Sequence, residues 1–201
     1  MLLHAFIPAS RANGPGLRSV VFFQGCTLRC PGCWNPQANQ FHGTEVAVDT
    51  VAHKVLQAHT EHSVEGVTFS GGEPMQQAPA LLELIQMLHQ QVPTLSFGMF
   101  SGYGEWELVL GRYWTWGRDY SKLERRRLWE EIRAHLDFAV LGRFNEHQPS
   151  GLPLRTSRSQ ALRMVTSRYG VRDYGPQSVE VIVHPDGRAE VTGFPILGLP
   201  W

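Results

Sequence analysis

The chain has 201 residues, enough for one domain with a sizeable core. Its 18 Lys and Arg balance 18 Asp and Glu, and a formal charge of zero gives no electrostatic reason to expect nucleic-acid binding. No run approaches the ~20 apolar residues of a membrane span, and residues 1–6 form neither a basic n-region nor a long apolar stretch, so the sequence predicts a cytoplasmic protein without a signal peptide and without a membrane partner.

In chain order, Arg18-Ser19-Val20-Val21-Phe22-Phe23 is β-branched and aromatic and reads as a buried strand. Residues 25–36, rich in Gly, Pro and Cys, read as a loop. Val48, Val51, Ala52, Val55, Leu56 and His59 recur at helical spacing, with Asp49 as a candidate cap. A second strand is expected over 64–69, ending at Ser70-Gly71-Gly72. Leu81, Leu82, Ile85 and Leu88 mark a second helix. A third strand is expected over 95–100, ending at Ser101-Gly102-Tyr103, and a fourth over 137–141. Between them, residues 111–133 are less orderly, with Trp114, Trp116 and the run Arg125-Arg126-Arg127. This stretch reads as an added segment whose helix face is solvated. Near the end, residues 179–183 and 188–192 flank His184-Pro185-Asp186-Gly187, a hairpin signal.

Strands alternating with helices predict an α/β fold with a parallel sheet, in which ligands sit at the carboxyl ends of the strands. The Cys loop, the Gly-Gly-Glu loop and the Ser-Gly-Tyr loop all follow strands and are expected to share one rim. A full (β/α)₈ barrel takes roughly 250 residues. The expectation is therefore a partial, open βα barrel, a single domain over 1–201, with no second domain to cap its open side.

The three cysteines, Cys26, Cys30 and Cys33, all lie within eight residues, too few and too close for a disulfide framework. Their spacing is C-x₃-C-x₂-C. Soft thiolates suit an iron–sulfur cluster or zinc. Structural zinc usually takes four protein ligands, and no fourth cysteine exists; a Cys₃His site with His42 is the zinc alternative. A cubane on three thiolates leaves one iron open to a small molecule. Pro31 and Gly32 keep the loop from becoming helical and let its backbone approach the cluster. The Gly71-Gly72 pair allows close approach of a ligand, and Glu73 can accept from a cationic amine. Trp34 has two readings, packing against cluster or adenine and filling the barrel mouth. Ser101 likewise is a ligand contact or a turn hydroxyl. The histidines show no metal-binding spacing.

C-x₃-C-x₂-C followed by Trp34 resembles the radical S-adenosylmethionine (SAM) signature. Asn13-Gly14-Pro15-Gly16-Leu17-Arg18 resembles the segment before the first barrel strand of glycyl-radical-enzyme activases. Ser70-Gly71-Gly72-Glu73-Pro74 resembles the loop that receives the methionine end of SAM. Cys33-Trp34-Asn35-Pro36 is most similar to the activating subunit of anaerobic ribonucleotide reductase. Phe100-Ser101-Gly102-Tyr103, Leu141-Gly142-Arg143-Phe144 and Val191-Thr192-Gly193-Phe194-Pro195 are less specific echoes. Leu154-Arg155-Thr156-Ser157-Arg158-Ser159-Gln160 keeps part of a late Arg-Gly-Ser-Ser-Asn-Gln stretch of those activases.

The resemblance implies a [4Fe-4S] cluster on Cys26, Cys30 and Cys33, and SAM held near Gly32, Cys33, Trp34, Gly71, Gly72, Glu73, Pro74 and Ser101. It implies reductive cleavage of SAM to a 5′-deoxyadenosyl radical, used to make a glycyl radical on a partner enzyme, with electrons from a donor such as flavodoxin or ferredoxin. The incomplete late motif and segment 111–133 leave an alternative, a radical SAM enzyme that modifies a small molecule or a peptide.

Overall fold

The structure is a computed structural model that describes residues 1–183, 187 and 189–194. Its centre is a six-stranded sheet in sequential order, β1 (Leu3–Ser10), β2 (Arg18–Phe23), β3 (Gly66–Gly71), β4 (Ser96–Ser101), β5 (Phe138–Leu141) and β6 (Ala161–Met164). Strands β2 to β5 pair in parallel, while β1 and β6 join the two edges antiparallel. The expected strands are therefore present, two of them shifted toward the carboxyl end. The sheet also gains two antiparallel edges whose sequences did not announce them: β1 carries His4 and Pro8, and β6 has only four residues.

Period-two alternation sorts the residues of β2–β5 between two faces. Val21, Phe23, Val67, Phe69, Phe97, Met99, Ala139 and Leu141 face the main core. The helices that cover them are α1 (Val48–His62), α2 (Ala78–Gln91) and α4 (Lys122–His135), with the short α3 (Glu105–Val109) beside them. α1 begins after Ala47 with no side-chain cap, so Asp49 sits in the first turn rather than at the cap. There it still complements the positive end of the helix.

Segment 111–133 is more than a solvated addition. Ser121 and Glu124 form a capping box, and Trp129 and Ile132 of α4 are buried in the main core. Arg125 donates to the Gly111 carbonyl at 2.9 Å, so one residue of the basic run is structural.

The other face of the sheet bears a smaller cluster of Phe138, Val140, Leu154, Tyr174 and Phe194. Arg18, fully buried, crosses beneath it. Its guanidinium donates to Thr68 Oγ1, the carbonyls of Pro15, Val67 and Ser96, Ser96 Oγ and Tyr169 OH, and it lies 5.1 Å from the Phe138 ring centroid. One side chain thus fastens β2, β3 and β4 at the end away from the cysteines.

The hairpin forms from β7 (Val179–Val183) and β8 (Ala189–Gly193). Of its turn, His184, Pro185 and Asp186 lie outside the described residues, as do Arg188 and Pro195. Glu180 accepts from Ser10 Oγ and Arg11 N, Asn13 donates to Thr192 Oγ1 at 2.8 Å, and Phe194 meets Phe100 at 5.8 Å. The hairpin therefore rests on the second face of the sheet, so one wall on that side comes from the chain itself.

Candidate functional site

The loops after β2, β3, β4 and β5 share one rim because those strands run in parallel. The cysteine loop is tied down by main-chain bonds, Gly25 N to Ala38 O at 2.8 Å and Cys26 N to Asn39 O at 3.0 Å. The Gly-Gly-Glu loop is bonded directly to it. Gly72 N donates to Phe23 O at 2.7 Å and Glu73 N to Gly25 O at 2.9 Å. A β-carbon on Gly72 would stand 2.4 Å from the Gly25 carbonyl oxygen, and one on Gly71 2.6 Å from Phe23 N. Here the glycines admit a neighbouring backbone, the same property that the sequence assigns to ligand approach. Gln76 completes the bracing: it accepts from Thr27 N at 2.9 Å and donates to Thr27 Oγ1 and Tyr103 OH. No motif pointed to Gln76, because its role depends on partners 49 and 27 residues away.

All three cysteines are free and partly buried. Burial, then the charge of Glu73, pushes the Cys26 thiol up to about 11; burial and the neighbouring Cys30 raise Cys33. Thiolates in this loop therefore need a positive centre to offset their desolvation. Among the described residues, no three His, Cys, Asp or Glu side chains converge where one metal ion could sit, and His42 is exposed. A cubane takes three thiolates on three separate irons, so its ligands need not meet at a point. Three soft donors on one braced loop, with no fourth, fit such a cluster.

Glu73 is 1% exposed. Its Oε1 accepts from Met75 N at 3.0 Å and Ser101 Oγ at 2.8 Å, and its Oε2 from Gly102 N at 2.7 Å. Burial lifts its pKa to about 7 against the lowering effect of those three donors. Pro74 is buried and opens a short 3₁₀ turn, Pro74–Gln77. Ser101 serves Glu73 in this arrangement. Beside it, Arg143 reaches the Gly102 carbonyl and makes a two-pronged pair with Glu107 at 2.6 and 2.8 Å.

A cavity of about 550 Å³ opens next to Cys33 on the hairpin side of the sheet. Cys33 and Trp34 line it, with Trp34 packed 5.4 Å from Phe144. Gly32, Gly71, Gly72, Glu73, Pro74 and Ser101 are not among its described walls; neighbouring Ser70 is. Other walls come from Phe22, Phe100, Thr156, Gln160, Thr192 and Phe194. Period-two alternation could have marked Phe22 and Phe100 as facing away from the helices. The 150s loop and the hairpin reach the cavity only by tertiary folding.

Three thiolate donors on a loop at the carboxyl rim of a mostly parallel α/β sheet define an iron–sulfur protein. The chain belongs to the family described as 4Fe-4S single cluster domain, which matches residues 12–163. Among curated proteins it is similar to a pyruvate formate-lyase-activating enzyme from Clostridium pasteurianum, 35% identical over 116 residues, covering 54% of this chain and 47% of the relative. It is 29% identical over 107 residues to the anaerobic ribonucleoside-triphosphate reductase-activating protein of Salmonella typhi, covering 51% of this chain and 70% of that one. A Staphylococcus epidermidis pyruvate formate-lyase-activating enzyme is 41% identical over 90 residues, covering 43% and 36%. The match thus spans about half the length of the first of these relatives. Among the described residues no helix is long and apolar enough to cross a membrane.

Proposed function

We propose that this chain is a radical SAM activase that installs a glycyl radical on a partner enzyme. The observation that carries the reading is the braced loop of Cys26, Cys30 and Cys33, with three thiolates for a four-iron cluster, in a chain whose relatives are named as activating proteins. Held by these cysteines and reduced by a donor such as flavodoxin or ferredoxin, a [4Fe-4S] cluster would supply one-electron reductive cleavage of SAM to methionine and a 5′-deoxyadenosyl radical able to abstract the α-hydrogen of a partner's glycine.

The chain's own residues bind and enclose. Cys26, Cys30 and Cys33 hold three irons, and Gly32 keeps the loop backbone close to them. The loop 71–74 receives the methionine end of SAM. A carboxylate has about four acceptor positions, and Glu73 uses three on Met75, Ser101 and Gly102, which leaves one for an ammonium group. Ser101 orients that carboxylate. Trp34 lines the cavity in which the adenosyl group and the partner's glycine meet, and Phe100, Phe144 and Phe194 keep water from the radical. The sheet, with its two unjoined edges, acts as the partial, open barrel of this class, working as a single cytoplasmic domain.

The test is anaerobic reconstitution with iron, sulfide and SAM, followed by electron paramagnetic resonance with a candidate partner such as pyruvate formate-lyase or anaerobic ribonucleotide reductase. A partner-based doublet that collapses when the glycine α-hydrogen is replaced by deuterium supports the reading. The hairpin wall favours one other reading, action on a small molecule or free peptide. Rapid coupled turnover of such a substrate without any partner would establish that instead.

A further inference from the structure

α2 leads into β4 and α4 into β5, so the last turns of both helices lie at the amino ends of the strands, at the far end of the sheet from the cysteines. His89 stands in the last turn of α2 and His135 in the last turn of α4. Their ring centres are 5.2 Å apart, with 62° between the ring planes. His135 is half-buried, and among the described residues neither ring has a hydrogen bond or an ion pair.

This geometry fits one ion shared between the rings. An imidazole nitrogen binds zinc at about 2.0–2.1 Å and lies about 1.2 Å from its ring centre, so two rings on one tetrahedral ion have centres about 5 Å apart. With no hydrogen bond to hold it, each ring can turn about its Cβ–Cγ bond and aim one nitrogen at a common point. Charge points the same way. Two adjacent helix C-termini set their partial negative charges side by side, where a cation is favoured. Glu131, one turn before His135 on α4, adds a carboxylate whose charge acts on the His135 ring. Arg133 shares that last turn, but two residues from His135 it projects from another face of the helix. Burial, then His89, lowers the pKa of His135, which keeps its ring neutral and its lone pair free for a metal. Neutral imidazoles suit borderline transition ions, whereas magnesium and calcium take oxygen ligands.

We propose that His89 and His135 form a binding site for a divalent transition-metal ion of the zinc type, which takes one nitrogen from each ring and completes its shell with water. The ion ties the end of α4 to the end of α2. The site stands apart from the cysteine rim and does not depend on the activase reading.

The experiment titrates the reconstituted holoenzyme with Zn²⁺ in an anaerobic calorimeter, with the assigned histidine ring signals followed by NMR and the cluster by its visible absorption. Saturating Zn²⁺ should shift the ring signals of His89 and His135 together while the cluster absorption stays constant. His89→Asn and His135→Asn should each weaken this binding about ten-fold or more. Because the ion binds only where the two helices are packed, it should also raise the thermal midpoint of the wild type and not of the variants. Equal Zn²⁺ affinity in the wild type and both variants overturns the proposal. So does an absence of saturable binding, which would leave only an edge contact between two rings. Zn²⁺ uptake that bleaches the cluster while the two ring signals stay still gives the ion to the cysteines and overturns it as well. The ring shifts are read on wild-type protein, so they decide the matter even where a variant fails to fold.

Discussion

The Ser101 hydroxyl donates to Glu73 Oε1 across 2.8 Å, joining the carboxyl ends of β4 and β3 at the rim that carries the cysteines. Met75 N and Gly102 N complete the set, so the acidic residue of the Gly-Gly-Glu motif is part of the frame before any ligand arrives.

The first prediction concerns pH. Glu73 has its pKa raised to about 7 by burial, against an ordinary 4.5 in the unfolded chain. The folded state then binds the proton more tightly, so its contribution to stability is full below about pH 4.5 and is lost as pH rises through about 7. In apo-protein, wild-type stability should fall across that window by a few kcal/mol at most, and Glu73→Gln should flatten the fall. Urea midpoints at pH 5, 6, 7 and 8 measure it, and identical slopes in the two proteins would refute the assignment.

Cys26→Ala, Cys30→Ala and Cys33→Ala should each abolish stable cluster assembly, because no other cysteine exists to take over. Iron and sulfide content with the visible absorption after anaerobic reconstitution reads this directly. An intact four-iron cluster in any of the three would remove the assignment.

Gly72→Ala should damage the cysteine loop although residue 72 is not a cysteine and holds no iron. Its new β-carbon would lie 2.4 Å from the Gly25 carbonyl oxygen, one residue ahead of Cys26, and that atom is backbone and cannot rotate away. The loop must shift, so cluster occupancy should drop several-fold while the fold survives. Full occupancy with unchanged SAM affinity would mean that the loop yields freely.

Arg18→Met should destabilise the chain without touching the rim. It leaves buried acceptors at Val67, Ser96 and Pro15 unpaired, each costing ~1–3 kcal/mol. A total loss of about 3 kcal/mol or more is expected from denaturant unfolding. Arg18→Lys should recover only part of it, since an ammonium cannot reproduce the planar fork. A loss below 1 kcal/mol in Arg18→Met would show that water replaces the guanidinium.

The sequence by itself determined the three thiol donors of the rim and the four strands that build it. Ligand spacing is local: Cys26, Cys30 and Cys33 are close along the chain, so their pattern survives without any knowledge of the fold. Strands β2 and β5 were legible because burial on both faces leaves near-continuous apolar runs, and β3 and β4 because their aromatic and β-branched residues end at Ser-Gly turns. The edges β1 and β6 were not, since one side of an edge strand is unpaired and its burial pattern is mixed. Tertiary structure alone decided the rest. It set the Gly72 backbone against Gly25, gave Glu73 its three donors, and turned the last hairpin over the cavity. It also brought Gln160 to a wall shared with Cys33, 127 residues earlier in the chain. Each of these is a contact between distant segments, and side-chain periodicity records which face of an element is buried, not what it is buried against.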